Sequence, residues 1–475
     1  MSVLHKRLRL VGLAAAAFLA AGPAAAQPAD LAARASAILE ASYPADGPGA
    51  VVIISQGGRT LFAGGRGLAD IRTGRPLTSD SLFRLGSVTK QFTAAAVLKL
   101  VEEGRISLDD PLSRFLPDYP QPIASATVRQ LLNHTAGVQS YNEIPGWMVE
   151  ANTNRPYTTA QLIDLFKDLP PRAPPGEAWA YSNSGYVLLA AVIEAVTGAP
   201  WHEAVELRVA GPAGLATIGY GEERESGPAM VRGYSHDATG AVSPARPTHM
   251  SVPHAGAGLV GTVRDLARWG HALHGGRVLT APLYEAMTSP TTLPDGRVQP
   301  YGFGLAFSDV RGRRAVRHDG RIAGFMNEAV SIPSDDIVVA VLTNSDEPAT
   351  SPALVGLRLA ALALGEPYRL FTRIDMDTAA LDPLLGVYEG PAGVSRRFLR
   401  RGGELYVSRN GGAEREVLAA AENHFFYPDS FTWFRIDRRP GEAPTMHLHQ
   451  NDAPEAEVAT RTGDGAAGQE RACDQ

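Results

Sequence analysis

The chain has 475 residues, with 44 basic and 50 acidic side chains, a formal net charge of −6 and a single cysteine. A mildly acidic chain of this length can build two or more cored domains, and its charge argues against nucleic acid or an anionic membrane as a partner. The lone Cys473 lies in a polar tail and cannot form an internal disulfide, so packing must hold the fold together.

Residues 1–26 read as an export signal. His5, Lys6, Arg7 and Arg9 precede a short apolar stretch over 10–21, and Ala24-Ala25-Ala26 offers a small-residue cleavage site. That stretch is too short for a stable membrane span, and no later run is long enough. The mature chain is therefore expected to be periplasmic or secreted, with no membrane span.

A helix is predicted over 30–42, with Leu31, Ala35, Ile38 and Leu39 on one side. Val51 to Ile54 form a strand that turns at Gln56-Gly57-Gly58-Arg59 into a partner over 60–63. From Gln91 the apolar Phe92, Ala96, Val97, Leu100 and Val101 recur at helical spacing until Gly104. A short helix over 127–132 ends at Asn133-His134. Thr158-Thr159 caps another that runs through Phe166, and an apolar helix over 185–197 is closed by Gly198. Thr262 to Asp265 has the shape of a capping box, opening a helix towards Leu273. Strand-like runs follow at 314–318, 329–332 and 337–343. The result is α/β (α+β): an antiparallel sheet flanked by helices, with a helical insert between the N-terminal hairpin and the late strands. After about residue 370, short strands separated by Gly, Asn and Pro predict a small all-β barrel or sandwich over 382–450. Residues 27–370 form the larger domain, and 451–475 are expected to be a disordered tail.

Ser87 stands just before the helix that starts near Gln91, with Lys90 three positions on and on the same face. A serine hydroxyl needs a neighbouring base to become a nucleophile, and lysine serves only where burial or positive charge lowers its pKa. The helix start supplies a positive dipole end. The chain has four lysines against forty arginines, and this is its only Ser-x-x-Lys. Alone, the pattern fits a serine N-cap followed by a surface lysine better than it fits catalysis.

Two later stretches change the balance. Tyr181-Ser182-Asn183 supplies a Tyr-x-Asn, and His318-Asp319-Gly320 follows at the end of a predicted strand. Together with Asn133-His134-Thr135-Ala136-Gly137 and Ala257-Gly258-Leu259, these motifs resemble the β-lactamase-related serine hydrolases, which include class C β-lactamases, DD-carboxypeptidases, D-aminopeptidases and some esterases. The resemblance covers about residues 30–350. It implies that Ser87 is the acylated nucleophile, that Lys90 takes or shares its proton, and that Tyr181 relays protons to the leaving group. It further implies that Asn183 binds the substrate amide, and that the Ser87 and Arg321 amides, beside Gly320, form an oxyanion hole. His318 falls where many members carry the lysine of a Lys-Thr-Gly motif. A phenol acts as a base only beside cations, and Lys90 with a protonated His318 is the expected source of that field.

Histidine at 318 removes a constant positive charge for a substrate carboxylate. His-x-Gly resembles D-aminopeptidases and esterase-like members, so the expected activity is hydrolysis of amides, peptides or esters more than β-lactams. A β-lactamase or esterase with the same residues is one alternative. A non-catalytic peptidoglycan- or partner-binding protein on the same fold is another. Gly256 to Gly261 spells G-x-G-x-x-G, but no βαβ unit surrounds it. His202-Glu203 lacks the second histidine of a zinc helix, and His447 and His449 have no third ligand. No metal or cofactor is expected, and His134 and His254 are expected to organise loops.

Overall fold

A computed structural model describes residues 28–377 and 381–463. The export signal expected over 1–26, and residues 464–475 of the expected tail, lie outside the described residues.

Helix α1 (Pro28–Ser42) leads into the hairpin β1 (Ala50–Gln56) and β2 (Arg59–Arg66). The helical insert contains α2 (Thr89–Glu102), α3 (Asn183–Thr197) and α4 (Val263–His274). The chain then returns as β3 (Ala306–Val310), β4 (Arg313–Ile322), β5 (Phe325–Ile332) and β6 (Ile337–Thr343), followed by α5 (Pro352–Ala363). These six strands form one antiparallel sheet in the order β3-β4-β5-β6-β1-β2.

Alternation along the central strands feeds two cores. Val51 and Ile53 of β1, with Ala340 and Leu342 of β6, face the helical insert. Ala50, Val52 and Ile54, with Val339 and Val341, face α1 and α5. A strand covered on both faces has no polar side to show, which is why 51–54 and 337–342 read as unbroken apolar runs.

Several local expectations are met and others are corrected. Thr127 and Thr158 each make a full capping box, with Gln130 and Gln161, and Gly198 closes α3 at φ +73°. The helix that follows Thr158 ends at Asp164 and does not reach Phe166. Thr262 Oγ1 accepts the Asp265 N–H, but the Asp265 carboxylate does not reach back; it accepts from the Thr217 N–H at 2.6 Å and the Thr217 hydroxyl at 2.8 Å. The strand predicted over 314–318 continues to Ile322, so His318, Gly320 and Arg321 lie within β4 and not at its end. Edge strand β3 was not anticipated.

The C-terminal region is a closed eight-stranded barrel, from β7 (Gly386–Glu389) to β14 (Glu457–Gly463). The tail expected from residue 451 is thus corrected in part. Although its sequence is polar, β14 pairs with the strand Thr445–His449 on one side and β7 on the other, closing the barrel through backbone hydrogen bonds. The barrel joins the larger region at the β3–β4 turn. The Asp452 carboxylate there accepts from Arg311 Nη2 at 2.6 Å, the Arg369 N–H at 3.0 Å and Trp433 Nε1 at 2.9 Å. The rings of Tyr368 and Phe431 stack with centroids 3.7 Å apart.

Candidate active site

A turn of 3-10 helix, Gly86–Val88, carries Ser87 into the first turn of α2. Gly86 has φ +58°, a region that favours glycine. This turn is anchored by the sheet and by the 254–261 segment. Asn327 of β5, fully buried, donates from Nδ2 to Arg84 O at 2.8 Å, and the Leu85 N–H donates to Leu259 O at 2.9 Å. Strand β4 crosses directly beside it. A Cβ on Gly320 would lie 2.0 Å from Leu85 O, and one on Gly86 would lie 2.8 Å from the Arg321 nitrogen. Glycine at both positions permits this approach, which brings the backbone at Ser87 close to that at Arg321.

Lys90 is fully buried, and its Nζ has three partners: Ser87 Oγ at 3.2 Å, Asn183 Oδ1 at 2.7 Å and Gly256 O at 3.0 Å. Burial lowers its pKa from 10.5 to about 7, while the charge of Asp319 pulls it back upwards. The partner set suits the neutral amine well. Its two N–H bonds go to the two carbonyl oxygens, which can only accept, and its lone pair is left for the Ser87 hydroxyl proton.

Tyr181 is buried against the same pair, with Lys90 Nζ 4.6 Å from the centre of its ring. Burial raises the phenol pKa, so it stays protonated, although the neighbouring Ser87 hydroxyl acts to lower that pKa. The expectation of a tyrosinate held by two cations is corrected. Lys90 titrates near neutrality, and His318, 3 % exposed, is driven by burial down to about 4 and is neutral at pH 7. Asn183, the first residue of α3, also departs from the expected role of binding substrate alone. Its Oδ1 holds Lys90, and its Nδ2 donates to Asn142 Oδ1 at 3.0 Å, leaving one N–H free to reach a ligand. The Arg321 side chain points away, donating to Asp346 O at 3.1 Å.

Behind the site runs a hydrogen-bond chain whose direction can be assigned. The Ser182 N–H donates to His134 Nδ1 at 3.2 Å, so the neutral His134 carries its proton on Nε2 and donates to Tyr301 Oη at 3.2 Å. Tyr301 then donates to His318 Nε2 at 2.9 Å, and His318 Nδ1–H donates to Asp319 O at 2.5 Å. Every proton in the chain is used once, and both imidazoles are held neutral. His134, expected to organise a loop, does so at a positive φ of 64°, and its ring also packs 4.4 Å from that of Tyr181.

Tyr301, Asn142 and Asn327 escaped the sequence reading, and Gly256 entered it only as part of a glycine run with no βαβ unit around it. The glycine-flanked aromatic in Tyr301-Gly302-Phe303-Gly304 was the signal available for the first. The G-x-G-x-x-G run contributes Gly256 O to Lys90 and the short strand Leu259–Gly261, which pairs with Phe83–Arg84. Among the described residues, no group of three or more His, Cys, Asp or Glu side chains is placed to hold a metal ion. No single described helix is long and apolar enough to cross a membrane.

A mixed sheet-and-helix domain with a serine and lysine at the start of its central helix is the architecture of a β-lactamase-type serine hydrolase. The Beta-lactamase family model matches residues 38–364, and the chain belongs to that family. It is similar to penicillin-binding protein 4* of Bacillus subtilis, 27% identical over 436 residues, covering 86% of this chain and 94% of that protein. It is also similar to a D-aminopeptidase of Brucella anthropi, 28% identical over 337 residues, covering 70% of this chain and 62% of that longer protein. Among solved structures, the D-amino acid amidase of Ochrobactrum anthropi SV3 matches at 26% identity and a TM-score of 0.59, covering 71% of this chain and 98% of that one. The octameric penicillin-binding protein homologue of Pyrococcus abyssi matches at 24% identity and a TM-score of 0.64, covering 91% and 99%, a likeness of fold that includes the barrel.

Proposed function

We propose that the protein is an exported serine hydrolase that cleaves amide, peptide or ester bonds through an acyl-enzyme on Ser87, with a preference for D-amino-acid amides and peptides. One observation carries this reading: Lys90 Nζ has two pure acceptors and Ser87 Oγ around it, so its neutral form accepts the serine proton. In the first step Lys90 takes that proton as Ser87 Oγ bonds to the substrate carbonyl carbon. The oxyanion receives hydrogen bonds from the Ser87 and Arg321 amides. Tyr181 gives its phenolic proton to the departing amine or alkoxide and is reprotonated from Lys90. A water molecule then attacks the ester carbonyl by the reverse route and frees Ser87.

The preference for an amine-bearing substrate over a carboxylate rests on charge, and that for the D-series on the relatives. Neutral His318 offers no fixed cation for a substrate carboxylate, and the nearby exposed Asp319 favours a substrate ammonium over a second anion. The D-aminopeptidase and D-amino acid amidase relatives agree with that choice. Export rests on the basic, apolar and small-residue pattern of residues 1–26, and the N-terminus of protein recovered from the periplasm or medium should begin at Gln27.

The decisive experiment compares turnover of D- and L-alanine p-nitroanilide, p-nitrophenyl butyrate and nitrocefin by purified protein and by Ser87→Ala. Turnover of the D-anilide, lost in the variant with folding retained, supports the proposal. Nitrocefin or the ester as the far better substrate favours the β-lactamase or esterase alternative. No turnover and no acylation by a labelled penicillin would leave a binding protein.

A further inference from the structure

Where α1, α5 and the segment leading to the barrel meet, the structure holds a half-buried cation with no counter-charge among the described residues. Arg358 of α5 is half-buried, its Nε is shielded from solvent with no hydrogen-bond partner, and among the described residues no carboxylate pairs with it. Beside it, the hydroxyl of Tyr43, a residue 3 % exposed, is also buried and unpartnered, and burial raises the phenol pKa while lowering that of the guanidinium. A shielded Nε–H and an idle hydroxyl are costly to leave unsatisfied, and apart from Tyr43 the guanidinium faces the Phe431 ring, 5.9 Å from its centre. Arg358 opens onto a cleft of about 430 Å³ that Arg34 and Arg369 also line. Arg34 lies 3.9 Å from Asp30, and Arg369 lies 3.6 Å from Asp452 with its guanidinium over the Trp433 ring, 4.6 Å from its centre. The remaining wall is apolar, including Ile38 and Leu370, the latter 60 % exposed.

We propose that this cleft binds an amphiphilic anion, a carboxylate or phosphate head on a short apolar body. Arg358 meets the head as a planar fork, Arg34 and Arg369 supply charge at the rim, and Ile38 and Leu370 cover the body. The bound anion would tie α1 and α5 to the segment that leads into the barrel. The site is independent of the hydrolase reading, since nothing in it touches Ser87.

The test follows the melting temperature of the full chain with octanoate, acetate, inorganic phosphate and 1-octanol, each at matched ionic strength. Octanoate should give a saturable rise of about 3 °C or more at a hundredfold excess over its Kd. Acetate and phosphate should act at least tenfold more weakly, and octanol not at all. Arg358→Met should lose the octanoate response while its unliganded melting temperature holds or rises, because an unpaired buried charge has been removed. Arg34→Met, at an exposed position, should weaken octanoate about threefold without affecting folding. Cosedimentation with phosphatidylglycerol vesicles, lost in Arg358→Met, would assign the head to a lipid; octanoate binding without it assigns a free anion. The proposal is overturned if octanoate has no saturable effect, if octanol matches it, or if both arginine variants respond like the parent. A fall of several degrees in unliganded Arg358→Met would also overturn it, by making Arg358 a structural cation.

Discussion

Tyr301 Oη stands 2.9 Å from His318 Nε2 and 3.2 Å from His134 Nε2, so one hydroxyl joins two buried imidazoles. Because that hydroxyl donates towards His318, the side chain at the third motif is held as a neutral ring. His318→Lys would replace it with a cation. The ratio of kcat/KM for a substrate with a free carboxylate to that for its amide is expected to rise on the order of tenfold, as for a charge-assisted hydrogen bond. Tyr301→Phe leaves both rings short of a partner and should lower stability by about 1–3 kcal/mol in urea unfolding.

Lys90 sets the pH dependence. Only its neutral form accepts the Ser87 proton, so kcat/KM should climb with pH through about 7. Asp319 raises the Lys90 pKa, so Asp319→Asn should move the midpoint of that limb to lower pH. A pH–rate profile that stays flat from 6 to 9, or an unmoved midpoint in the variant, would count against Lys90 as the base.

The same group affects folding. The unfolded chain keeps Lys90 protonated up to its ordinary 10.5, whereas the folded chain releases the proton near 7. Between those values the unfolded state binds more protons, so this contribution to stability increases with pH across the window and is least favourable below 7. Lys90→Met should flatten that slope in unfolding curves measured from pH 6 to 10.

A second serine also has a histidine and an aspartate in line. Ser55 Oγ is 2.8 Å from His271 Nε2, and His271 Nδ1 is 2.7 Å from Asp336 Oδ1. Ser55 is 2 % exposed, and its hydroxyl also faces Arg59 O at 3.1 Å, which competes for its single proton. Ser87→Ala is therefore expected to resist a fluorophosphonate probe entirely. Peptide mapping that found the label on Ser55 would establish a second nucleophile.

Next to the site, Arg317 of β4 forms a two-pronged ion pair with Glu328 of β5, at 2.8 and 2.5 Å, and the Glu328 side chain is fully buried. Burial raises the carboxyl pKa and Arg317 opposes that rise. Arg317→Met should destabilise by about 3–5 kcal/mol, because the carboxylate is left alone, and Arg317→Met/Glu328→Met should recover most of the loss. Denaturant midpoints of the three proteins decide it.

The amino-acid order revealed more of the fold than of the site's interior. Periodicity located α1, α2 and the β1–β2 hairpin because both faces of the sheet are covered by helices, leaving strong apolar signals. The polar strand β14 was hidden for the opposite reason: its place depends on backbone pairing with two neighbours, which leaves little trace in side-chain type. At the site, Ser87 and Lys90 stand out in the sequence because they are three residues apart, whereas Tyr181 is singled out only by the resemblance, and the structure brings all three together. The protonation state of His318 was not, since it depends on burial and on Tyr301 and His134 meeting it from remote parts of the chain. Asn183 kept its place but gained a task, holding the amine as well as facing the cleft.

Strand β4 has the barrel junction at one end and Gly320 towards the other, eight residues from Gly312 and so on the order of 26 Å away. The two ends can therefore evolve under separate pressures. Substitutions among the barrel loops can accumulate while the backbone approach of Gly320 to Leu85 is inherited intact.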